Sequence, residues 1–164
     1  MAILRWIFRL VLLAVLAAAA LALAARVHDG PIGPLPGGKL VAGPLVAEPV
    51  ADWTFAAPVK EIELQLASQS ISRTTWILVD QGKAYVPAST VMPPGKTWHK
   101  LALQDGRALL RIAGKRYPVT LAKVDDPAQQ AALRTVAKAK YPPPPGAEGG
   151  DVWFFAVTSR PGGV

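Results

Sequence analysis

A chain of 164 residues, 51% of them hydrophobic, can bury the core of one domain once its apolar N-terminal stretch is set aside. It has no cysteine, which excludes a disulfide framework, a thiolate metal site and a cysteine nucleophile, and its two histidines argue against catalytic zinc. The net charge of +7 falls to +4 when Arg5, Arg9 and Arg26 beside the apolar stretch are left out, leaving 15 basic against 11 acidic residues; that mild surplus suits an anionic ligand or membrane, and not nucleic acid, which asks for a clustered basic face.

In chain order, Leu10 to Ala25 is an unbroken apolar run of 16 residues between Arg9 and Arg26. As a helix it spans about 24 Å, short of a hydrocarbon core of about 30 Å. Trp6, Ile7 and Phe8 lengthen the span if Arg9 snorkels to the surface. Residues 1–26 therefore read as a retained signal anchor or as a signal peptide cut at the Ala22-Leu23-Ala24 triplet. Both put Arg5 and Arg9 inside and export the remainder, which predicts an inner-membrane protein with an exported C-terminal domain.

Residues 27–50 are rich in Gly and Pro and read as a semi-rigid tether, part of which can lie along the domain surface, with His28 in solvent. The domain is expected over 51–164. Trp53 and Phe55 open it as a cover for one end of a barrel. In Val59–Ala67, Ile62, Leu64 and Leu66 alternate with Glu61, Glu63 and Gln65, a strand with one wet face. Thr74–Asp80, β-branched and aromatic, reads as a central strand turned by Gln81-Gly82 into Lys83–Ala88. Thr97 is expected to cap a short helix ending at Asp105-Gly106. Arg107–Ile112 and Lys115–Val124 form a hairpin, with Pro118 at an edge or bulge because it lacks a donor. Asp126-Pro127-Ala128-Gln129 combines a capping-box pattern with Pro at the first helical position, and the helix runs to about Lys140 before Pro142 to Pro145. Val152–Thr158 is the last strand.

Chemistry concentrates at the short helix. Lys96, His99 and Lys100 crowd its start, where unpaired N–H groups and the macrodipole favour negative charge. A bound phosphate resolves that conflict, with Thr97 adding a hydroxyl; the alternative leaves both lysines in solvent while Trp98 and Leu101 pack inward. The serines lack a glycine elbow, and His99 is the one histidine available as a base in the domain, so nothing supports hydrolase chemistry. Any catalysis would have to be carried by a cofactor.

The order Arg73-Thr74-Thr75, Tyr85 to Ala88-Ser89, Lys96, Trp98-His99-Lys100-Leu101 and Tyr141-Pro142 resembles the FMN-binding split β-barrel superfamily, nearest its deazaflavin-dependent nitroreductase family. The likeness covers about residues 52 to 160. It implies a mainly β (α+β) fold, a six-stranded split β-barrel with two helices behind the N-terminal helix, and a homodimer. It further implies FMN or a deazaflavin, with its phosphate at Arg73, Lys96 and Lys100 and its ring beside Trp76 and Tyr85. Arg73, Thr74 and Thr75 read equally as the polar opening of a strand. Trp76 and Tyr85 also read as packing residues, and for Trp76 the strand context favours the core. Lys100 stands where the family has Asn, and Met92-Pro93-Pro94-Gly95-Lys96 lacks the family's paired glycines. Two functions stay open: a flavin-type oxidoreductase, and a non-catalytic envelope protein that uses the barrel to bind a small ligand or a partner.

Overall fold

The computed structural model describes residues 2–142 and 151–161. Its elements are helix α1 (Ala2–Val27), a 3-10 turn (Thr54–Ala56), strands β1 (Glu61–Leu66), β2 (Ser72–Trp76), β3 (Leu78–Asp80) and β4 (Lys83–Ser89), helix α2 (Trp98–Gln104), strands β5 (Arg107–Ile112) and β6 (Lys115–Lys123), helix α3 (Pro127–Lys140), and strand β7 (Val152–Ser159). The fold is α+β: three helices and one curled, antiparallel sheet of seven strands in the order β2-β1-β5-β6-β7-β4-β3.

Seven strands replace the expected six because Thr74–Asp80 is not one central strand. It breaks at Ile77, and its halves form the two opposite edges of the sheet. Trp76 pairs with Glu61 of β1, and Leu78 pairs with Tyr85 of β4. One residue therefore links both edges, which is why the sheet curls into a half-barrel. The Tyr141 side chain at the end of α3 occupies the break: its hydroxyl meets the Ile77 N–H at 3.3 Å and donates to the Ile77 carbonyl at 2.9 Å.

Period-2 alternation sorts the side chains. Ile62, Leu64 and Leu66 of β1, Ala108, Leu110 and Ile112 of β5, and Val119 and Leu121 of β6 fill the concave side with Phe155 and Trp98. A second core lies on the convex side under α3, where Leu133 meets Leu78, Tyr85, Val124 and Phe154. Asp126 caps α3 as its sequence predicts, accepting from the N–H groups of Ala128 (3.2 Å) and Gln129 (3.1 Å). The reciprocal half of the box is absent: the Gln129 amide donates instead to the Tyr85 hydroxyl at 3.0 Å. Trp53, Phe55 and Tyr117 form a ring cluster with centroids 5.6 to 5.8 Å apart.

Pro118 sits in an interior strand, not at an edge or bulge. Its carbonyl accepts from the Arg160 N–H at 2.9 Å, beyond the last β6–β7 pair, so its missing donor points past the end of that ladder. Thr97 precedes α2 but makes no side-chain cap.

The Gly/Pro-rich stretch expected as a tether runs as a strap along the outer face of the sheet. Ser72 Oγ donates to the Gly38 carbonyl (2.6 Å), Thr74 Oγ1 to the Gly33 carbonyl (2.8 Å), and the Val46 N–H to the Arg116 carbonyl (2.8 Å). Gly43 has φ +96° and lies so near Gly114 that a Cβ would stand 2.0 Å from its carbonyl oxygen, so glycine is required twice over. The strap also covers the supposedly wet face of β1. Arg111, 12% exposed, donates to Asp29 of the strap (2.9 Å) and to Glu63.

Helix α1 is long and apolar enough to cross a membrane. Its 26 residues span about 39 Å. A signal helix reaches that length too, so anchor and signal both stand. Its C-terminal end is tied to the strap: Ala25 is buried, and the Gly38 N–H donates to the His28 carbonyl at 2.9 Å.

Candidate functional site

The residues singled out from the sequence separate into two groups. Facing residues in an antiparallel pair share a side of the sheet. Arg73 faces Leu64 and Thr75 faces Ile62, so both point to the concave side. Ser72, Thr74 and Trp76 point to the convex side, where Ser72 and Thr74 hold the strap.

On the concave side, α2 closes one mouth of the half-barrel with Trp98 and Ala102. Trp98 is 2% exposed and its ring lies 5.5 Å from Phe155. This anchoring carries Lys96, His99 and Lys100 to the rim. His99 is 1% exposed, packed edge-on against Trp153 at 5.2 Å, and its Nδ1 is buried without a partner. Lys96 Nζ donates to the Met92 carbonyl at 2.7 Å. Arg73 donates to the Gln69 side chain from Nη2, while its Nε is buried and unpartnered. Lys100 and Thr97 are exposed.

The electrostatics are one-sided. Burial lowers the Lys96 pKa, and the Arg73 charge lowers it further. Burial likewise lowers the His99 pKa, followed by the charges of Lys96 and Lys100. Burial alone lowers that of Arg73. Among the described residues, none of the four pairs with a carboxylate. A cluster of like charges around buried, unpartnered nitrogens is relieved by an anion. The helix dipole adds little, because α2 has only seven residues and its N-cap side chain is unengaged.

The depressed His99 pKa has a consequence for stability. Below pH 6.5 the unfolded chain takes up a proton that folded His99 refuses, so stability falls as pH drops from about 6.5 toward the folded pKa, and is complete above 6.5. His99→Asn should flatten the pH dependence of the melting temperature over that interval. A His99→Asn slope equal to wild type would show that another group titrates there.

The expected ring contacts do not join this corner. Trp76 is 49% exposed, not core, and stacks on Tyr141 with centroids 4.4 Å apart and planes 8° from parallel. Tyr85 lies in the core under α3 and borders a cavity of about 360 Å³ shared with Trp53 and Lys83. A larger cavity, about 600 Å³, lies between the strap and β1, β5 and β6. Neither contains Arg73, Lys96, His99 or Lys100. Arg73, Lys96, His99 and Lys100 thus share one corner, and Trp76 and Tyr85 lie apart from it.

Sequence reasoning missed the strap's partners, Arg111 and Arg116. Their pairing with residues 70 or more positions away leaves no local pattern. The alternation of Glu63 and Arg111 on outward positions of adjacent strands was the one available trace.

No family model and no curated protein matches the chain. Two solved structures are similar to it. A protein from Listeria innocua, provisionally assigned as a pyridoxamine 5'-phosphate oxidase, is 9% identical over 60% of this chain and 81% of its own, with a TM-score of 0.44. A NimC/NimA family protein from Clostridium acetobutylicum is 16% identical over 67% of this chain and 77% of its own, with a TM-score of 0.40. At these values neither carries an argument about chemistry, and the deazaflavin-dependent nitroreductase family is not among them.

Proposed function

We propose that this chain is a split-barrel protein held at a membrane by α1, which binds a phosphate-bearing small molecule of the FMN class at Arg73, Lys96, His99 and Lys100. One observation carries the reading: four basic groups converge without a carboxylate partner among the described residues, and two of their nitrogens, Arg73 Nε and His99 Nδ1, are buried without a hydrogen bond. Charge-assisted hydrogen bonds to a phosphate would satisfy both.

The full chain in uncharged detergent, titrated with FMN and with riboflavin by fluorescence quenching, tests the site. FMN is expected to bind and riboflavin, lacking the phosphate, to bind far less tightly. Arg73→Gln and Lys96→Gln should each weaken FMN by about tenfold or more, the worth of one hydrogen bond to a charged group. Equal affinity for the two flavins, or unchanged affinity in both variants, would reject the site.

The second reading is a flavin-dependent oxidoreductase. It requires a ring-binding surface that Trp76 and Tyr85 do not bring to the corner and that a second copy would supply. Sedimentation of the full chain with and without FMN separates the two: a monomer that binds FMN speaks for the binding protein, and a flavin-linked dimer for the enzyme.

A further inference from the structure

The cavity of about 600 Å³ between strap and sheet is lined by none of the four basic residues of the corner, although Gln69 in its wall accepts from Arg73. Its walls include Leu40, Val41 and Leu45 from the strap and Leu109 and Pro118 from the sheet. Three cations, Lys39, Arg116 and Arg160, border it, and among the described residues its lining holds no acidic one. Arg116 donates Nε to the Gly43 carbonyl (2.9 Å) and Nη1 to the Leu40 carbonyl (3.2 Å), and Arg160 donates Nε to the Val119 carbonyl (3.0 Å). Carbonyls fix the two guanidiniums in place without neutralising them. The charge of Arg160 is felt by Asp105, which Arg107 already holds through Nε and Nη2. Apolar walls with a few placed cations, in a volume of this size, are the makings of a site for an amphiphilic anion.

The position of the cavity points to its source. Lys39 follows Gly38, whose N–H binds the His28 carbonyl just past the end of α1. The cavity's strap wall therefore begins one residue from the point where the strap binds the end of the apolar helix. We infer that this cavity binds a membrane-derived amphiphile with a single acyl chain and a carboxylate or phosphate head, the chain against Leu40, Leu45 and Leu109 and the head at Lys39, Arg116 and Arg160. The inference rests on the membrane seat proposed above and uses none of the cations of the phosphate corner. Flotation of the full chain with phosphatidylcholine vesicles tests the seat by itself.

The test uses the full chain in phosphatidylcholine nanodiscs, labelled with a diazirine-bearing stearate and mapped by mass spectrometry. Label is expected on peptides from 39–45, 65–70 and 108–118, displaced by oleate and not by oleyl alcohol or inorganic phosphate. Lys39→Gln with Arg160→Gln should reduce labelling about tenfold or more, since each head contact is a charged hydrogen bond. Leu109→Trp, which leaves every charge in place, should block it by filling the cavity. Label confined to α1, equal displacement by oleyl alcohol, or labelling that survives both the charge and the filling variants would overturn the proposal.

Discussion

Arg111→Met is expected to cost about 2–3 kcal/mol of stability and to free the strap, read as a lower denaturation midpoint and as new proteolysis between residues 31 and 46. Arg111 is the one cation between Asp29 of the strap and Glu63 of β1, donating to the Asp29 carboxylate at 2.9 Å, to its carbonyl at 3.1 Å and to Glu63. Burial works against its charge, but the hydrogen bonds to Glu63 and Asp29 outweigh that and raise its pKa. Removing one partner of a fully buried pair costs about 3–5 kcal/mol; here the acids are 33% and 29% exposed, and solvent takes up part of the loss. The triple replacement Arg111→Met, Glu63→Gln, Asp29→Asn removes the stranded charges and should recover part of the stability. A strap still protected in Arg111→Met would show that its backbone hydrogen bonds suffice. Acid should loosen the strap as well. Burial raises the Asp29 pKa, but hydrogen bonds from Val41, Arg111 and Ala42 lower it below 3.8, so its contribution is complete above about pH 3.8 and is lost as pH falls through the folded value.

Trp98→Ala should cost about 3–5 kcal/mol, the range for deleting a large buried aromatic. It should also weaken FMN, whereas Trp98→Phe should keep most of both. A helix of seven residues is too short to persist by its own hydrogen bonds, so α2 is held by what it buries. That is chiefly Trp98 against Phe155, with Ala102 beside it. Lys96, His99 and Lys100 keep their places at the rim only while this plug is seated. Calorimetry with FMN titration checks both effects. A Trp98→Ala protein that melts early yet binds FMN as wild type does would show that the corner is not organised by α2.

Several elements could be read directly from residue order. The alternation of Ile62, Leu64 and Leu66 with polar neighbours set β1 and its buried side. Asp126-Pro127 set the start of α3 through a side chain that can reach only the next two or three N–H groups. The apolar run to Ala25 set α1. Each of these depends on atoms a few residues apart, and such spacing is visible in one dimension. Other features escaped. Thr74–Asp80 looks like a single strand because its residues suit β structure throughout, while the break at Ile77 is occupied by Tyr141, 64 positions away. Trp76 looks like core, yet it stands half-exposed on Tyr141. The stretch from His28 to Val46 has a linker's composition, and its course along the sheet is set by donors on Ser72, Thr74 and Arg111 and by the Arg116 carbonyl.

The basic corner divides the same way. The sequence by itself determined that Lys96, His99 and Lys100 crowd one short helix with no acid among them, because that is a matter of spacing. The resemblance groups Arg73 with Lys96 and Lys100, and only the tertiary structure decided that Trp76, three residues on, faces the other side of the sheet. The reason is physical: charges and hydrogen-bond partners act through space, and the curl of the sheet, not the order of residues, fixes which of them meet.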